Sequence, residues 1–87
     1  MTKEELHELY DKVTTDIWNY ESYHVRYSYG NEYWAEDGSY VSFDVYGHSD
    51  QGRGADWTEY WSIYSNGEIH TEEACYKNYE EFKAEWL

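Results

Sequence analysis

The sequence predicts a small α+β domain. It has an N-terminal helix, a three- to four-stranded antiparallel meander and a short C-terminal helix, with both helices on one sheet face. Three observations carry this. Ser39 to Gly47 alternates strictly, with Val41, Phe43 and Val45 on one side and Tyr40, Ser42, Asp44 and Tyr46 on the other. Each end of the chain carries an apolar stripe at helical spacing. Between them, Glu36-Asp37-Gly38 and Asn66-Gly67 are hairpin signals.

The first helix runs from Thr2 to about Tyr20. Thr2-Lys3-Glu4-Glu5 fits a capping box, in which a hydroxyl and a carboxylate satisfy free amides of the first turn. Leu6, Leu9, Tyr10, Val13 and Ile17 form the stripe, and Trp18 is placed to widen it. Ser22 to Tyr29 is the first strand, with Tyr23, Val25, Tyr27 and Tyr29 on one face and His24, Arg26 and Ser28 on the other. Gly30-Asn31-Glu32 begins a turn, and Tyr33-Trp34-Ala35 extends the pairing. The Ser39–Gly47 strand follows.

Gly47 to Asp56 is the longest irregular stretch, with three glycines and several small polar residues. Trp57 to Ser65 is the third strand. Trp57, Trp61 and Ile63 face one way and Thr58, Tyr60, Ser62 and Tyr64 the other, with Glu59 expected near a solvated end. Glu68-Ile69-His70 returns as a short fourth strand. Thr71 to Tyr76 is open between coil and a first helical turn. Asn78, with Glu81 three residues on, caps a terminal helix whose stripe is Tyr79, Phe82 and Trp86.

Composition bounds the function. Eighty-seven residues make one domain, which buries roughly 60–65% of its unfolded surface. Twelve Tyr, five Trp and two Phe compensate for scarce aliphatic side chains, and such a chain is too aromatic to be disordered. Nineteen acids against six Lys and Arg give a net charge of −13. The acids are spread along the whole chain. A phosphate backbone or an anionic membrane needs a positive footprint, so both are excluded as direct partners. One cysteine allows no intrachain disulfide, and no apolar run has signal or membrane length. The expectation is a cytoplasmic protein.

No motif names a reaction. Asp44 is the one acid placed mid-strand, and pairing with Arg26 or His24 is its plain structural explanation. His70 and Cys75 lack a third group that would make a nucleophile. Glycines 47, 52 and 54 precede no lysine or helix start and form no phosphate loop. His48 with Asp50, or His70 with Glu72, offers two ligands, but the four histidines lack zinc-site spacing. The prediction is a non-enzyme with no cofactor and no metal.

The face left bare by the helices is more informative. Tyr40, Tyr46, Tyr60 and Tyr64 stand there with Asp44, either as a structural ladder or as a recognition surface. Arg stacks on rings and pairs with carboxylates, so such a face suits a basic partner. A tiny, acidic, cysteine-poor helix–sheet–helix domain resembles phage anti-CRISPR proteins and other DNA-mimic inhibitors of bacterial defence. The resemblance covers architecture and charge over the whole chain and rests on no motif. It implies a stoichiometric inhibitor whose carboxylates stand in for phosphates in an effector's basic groove, acting in the host cytoplasm. The expected partner contacts are the loop acids Glu32, Glu36, Asp37, Asp50 and Asp56, together with Asp44, Tyr40, Tyr46, Tyr60 and Tyr64. An immunity protein against a basic nuclease toxin is the first alternative. A ligand- or peptide-binding module using the Tyr face is the second. The protein is expected to be a monomer or a homodimer.

Overall fold

A computed structural model describes residues 1–22 and 24–86. Tyr23, assigned above to the apolar face of the first strand, lies outside the described residues. The elements are α1 (Lys3–Asn19), β1 (Val25–Trp34), β2 (Tyr40–Ser49), β3 (Ala55–Tyr64), β4 (Ile69–His70), β5 (Cys75–Tyr76) and α2 (Tyr79–Trp86). The strands pair antiparallel in the order β1-β2-β3-β4-β5. This is the α+β meander between two helices, with one more short strand than the sequence indicated.

The helices begin where side chains can satisfy their first amides. The Thr2 hydroxyl accepts from the Glu5 amide at 3.1 Å, and the Glu5 carboxylate accepts from the Thr2 amide at 3.0 Å. These bonds hold the Glu5 carboxyl below its ordinary range. Asn78 caps α2 by accepting from the Glu81 amide at 2.9 Å. The Lys3 ammonium donates to the Glu36 carbonyl at 2.9 Å, tying the start of α1 to the β1–β2 turn. Gly38 lies under that side chain at φ 74, a conformation and a clearance that a side chain would lose.

Both helices cover the same sheet face. Leu6, Leu9, Tyr10, Val13 and Ile17 of α1 join Val41, Phe43 and Val45 of β2, Trp61 and Ile63 of β3, and Phe82 of α2 in one buried cluster. Rings fill much of it. Trp61 meets Phe82 and Trp86 edge-on at 5.8 and 5.0 Å, and Tyr10 meets Phe43 at 5.2 Å. Trp18 does not widen the stripe; it is 65% exposed and meets Tyr29 edge-on at 6.5 Å.

Three strand assignments change. The Gly30–Glu32 segment is not a turn. β1 runs through it as a bulge, with an extra residue between the Gly30–Asp44 and Tyr33–Ser42 pairs and Asn31 at φ 52. The bulge reverses the alternation, so Trp34 joins the core and Tyr33 turns to the bare face. The 47–56 segment is mostly strand: β2 continues to Ser49, β3 begins at Ala55, and only residues 50–54 turn. Gly47 is there because the Trp57 indole lies over it. A Cβ at Gly47 would sit 2.1 Å from Trp57 Cε2.

Glu59 is not at a solvated end. It pairs with Val45 in mid-strand on the helix-covered side, and its carboxylate accepts from the indole N–H groups of Trp57 at 2.9 Å and Trp61 at 3.1 Å. Cys75–Tyr76 is β5, not coil or helix. Where β4 ends, the Glu72 carboxylate takes the next β3 amide, that of Tyr60, at 2.8 Å. Among the described residues no buried side-chain polar atom lacks a hydrogen-bond partner, and no helix is long and apolar enough to cross a membrane.

Candidate functional site: the bare sheet face

The face opposite the helices is built from alternate residues of β1, β2 and β3. Register places Ser42 beside Ser62 and Asp44 beside Tyr60, with Tyr46 beside Thr58 and Tyr40 beside Tyr64. Two groups result. The first is a row of rings across four strands: Tyr33 to Tyr40 at 6.1 Å, Tyr40 to Tyr64 at 5.9 Å, and Tyr64 to His70 at 4.5 Å. Tyr33 is not among the contacts predicted from sequence, because Gly30-Asn31-Glu32 before it has turn composition. The signal was present in the alternation resuming one residue out of phase after Gly30-Asn31.

The second group centres on Asp44. It pairs with neither Arg26 nor His24. The Asn31 side-chain amide donates to its carboxylate at 2.9 Å and to the Tyr46 hydroxyl at 2.9 Å, and that hydroxyl donates to Asp44 at 3.3 Å. The bulge creates this cluster, since positive φ turns Asn31 onto the bare face. Desolvation first, and then the Asp44 charge, push the Tyr46 hydroxyl above its ordinary pKa. Tyr60, opposite Asp44, stands 70% exposed.

The acids expected in loops are distributed otherwise. Glu32 lies in β1, and its carboxylate accepts from the buried Tyr10 hydroxyl at 3.2 Å, on the helix side. Burial first, and then Glu32, raise the pKa of that hydroxyl. Glu32 therefore does not join the bare face. Asp56 lies in β3, where it binds His48. Glu36 and Asp37 occupy the β1–β2 turn. Asp37 braces that turn by accepting from the Ser39 hydroxyl and amide, which lowers its own pKa. Asp50 sits in the opposite turn, 2.9 Å from His24. Glu36 and Asp37 are thus separated from Asp50 and Asp56 by the ten residues of β2, roughly 30 Å at strand rise. No single small ligand reaches both ends.

Charge compensation is sparse. Among the described residues every ion pair joins a histidine to a carboxylate: His7–Asp11, His24–Asp50, His48–Asp56 and His70–Glu68. None of the Lys or Arg side chains reaches a described carboxylate at ion-pair distance. Lys12 and Lys83 instead lie over the Tyr79 ring at 5.7 and 5.9 Å, on the helix side. The centre of the bare face carries no basic residue. Arg26 stands at its rim, opposite His48.

A wide depression of about 1030 Å³ lies at the Arg26 end. Tyr27 and Trp57 line it from the helix side, and Arg26, Tyr46 and His48 from the bare side, so it wraps the end of the sheet and is not an enclosed chamber. Comparison with known proteins finds no matching family model, no matching curated protein and no matching solved structure.

Proposed function

We propose that this protein is a non-enzymatic acidic inhibitor. It binds the basic nucleic-acid groove of a bacterial defence effector, such as a CRISPR nuclease, with carboxylates in the place of phosphates. The observation that carries this reading is uncompensated charge. The net charge is −13, no described Lys or Arg neutralises a carboxylate by direct pairing, and the bare face between the two acidic ends is lined with tyrosine. Arginine from a partner gains both a carboxylate and a ring there. The separation of the two acidic ends favours an extended groove over a compact pocket. Long-range attraction would make association fast and salt-sensitive.

The test is capture from a bacterial lysate at low and high salt. The inhibitor reading expects a nucleic-acid-binding defence effector, retained at low salt and lost at high salt. Recovery of a toxin nuclease under the same conditions would replace it with an immunity function. Absence of any basic protein would sink both.

One observation favours a ligand-binding reading as well. The depression beside Trp57 joins exposed aromatic surface to Arg26 and His48. Glycan or peptide binding there would change Trp fluorescence. A silent response across a ligand panel removes it.

A further inference from the structure

The β4–β5 hairpin sets Cys75 against Glu68 and His70, which already share one side of the chain. Ile69 pairs with Tyr76, and His70 pairs with Cys75. Glu68 precedes β4 by one residue and so shares the side of His70. A carboxylate oxygen of Glu68, an imidazole nitrogen of His70 and the Cys75 sulfur all lie within 4.8 Å of one another. Glu68 Oε1 and His70 Nε2 are 3.3 Å apart. Oxygen and nitrogen bound at zinc distances with a tetrahedral angle between them stand roughly 3.3 Å apart, and sulfur and nitrogen roughly 3.6 Å. The Glu–His spacing already fits, and the sulfur of exposed Cys75 lies within 4.8 Å of both other donor atoms.

We propose that Glu68, His70 and Cys75 form a binding site for a zinc-type divalent cation, with water in the fourth position. The donor set sets the class. Thiolate and imidazole favour zinc over the hard cations magnesium and calcium. Binding exchanges the Cys75 thiol proton for the metal and releases that proton to solvent. Tyr64 holds the imidazole from one side, with ring centroids 4.5 Å apart. The acidic surface raises the local cation concentration. The site links β4 to β5, two-residue strands with few backbone bonds of their own. It does not rest on the inhibitor reading.

The probe is Co²⁺, followed by Zn²⁺ competition, on the full chain under a phosphine reductant. The proposal expects a thiolate-to-cobalt absorption band that saturates at a single equivalent and is bleached by Zn²⁺. Cys75→Ser should abolish the band, and His70→Ala should weaken binding roughly tenfold or more. His48→Ala should leave both unchanged. Zn²⁺ should also slow alkylation of Cys75 in the unaltered protein, a readout that needs no variant to fold. A missing thiolate band, or Zn²⁺ that leaves Cys75 alkylation unaffected, overturns the proposal.

Discussion

The Tyr79 hydroxyl donates to the Asp16 carboxylate at 2.6 Å, joining α2 to α1 across 63 residues of sequence. Burial first, and then this hydrogen bond and the Asp16 charge, push Tyr79 up to about 12. An unfolded tyrosine titrates near 10. The folded state therefore keeps a proton that the unfolded state loses. Its stabilising effect is complete below about pH 10 and disappears as pH rises towards 12. Tyr79→Phe should lower stability at neutral pH by about 1 kcal/mol and flatten the alkaline decline. Urea unfolding at several pH values, with tyrosinate absorbance, measures both.

Phe43 is 2% exposed and packs between Tyr10 and Trp61. Phe43→Ala should cost about 3–5 kcal/mol, enough to unfold a domain this small at modest temperature. Denaturant titration followed by Trp fluorescence would show the midpoint shift. A loss under about 1 kcal/mol would mean that the core closes around the gap.

Gly47 and Trp57 share one space. Gly47→Ala should displace the indole and cost about 1–3 kcal/mol. Combined with Trp57→Val, the added penalty of the alanine should nearly vanish. A double-mutant cycle reads this coupling directly.

Glu59 accepts from both Trp57 and the fully buried Trp61. Glu59→Ala leaves the Trp61 N–H without that acceptor and should cost about 1–3 kcal/mol. Glu59→Gln keeps one acceptor oxygen and should cost less. Thermal unfolding of the two variants side by side gives the order.

Elements whose residues satisfy local rules could be read in advance. The Thr2 and Asn78 caps, the α1 stripe and the Val41–Phe43–Val45 alternation each follow from short-range chemistry, and all appear in the fold. Local rules fail where a distant residue decides the geometry. Gly30-Asn31 has turn composition, but pairing with β2 makes it a bulge. Gly47 has loop composition, but Trp57 makes it a strand residue. Glu59 broke the pattern because two indoles needed an acceptor, which sequence order does not reveal. The tyrosine row was partly legible for the same reason: Tyr40 and Tyr64 follow from alternation, while Tyr33 depends on the bulge.

If the acids and the bare tyrosine face act together on a nucleic-acid-binding partner, the protein should displace DNA from a guide-loaded CRISPR nuclease, as followed by fluorescence anisotropy across a salt series. Displacement should be stoichiometric, weaken as salt rises and be lost when Glu36, Asp37, Asp50 and Asp56 are changed to Lys. Full retention of DNA at low salt with protein in excess, or displacement unaltered by the charge reversals, would contradict that joint action.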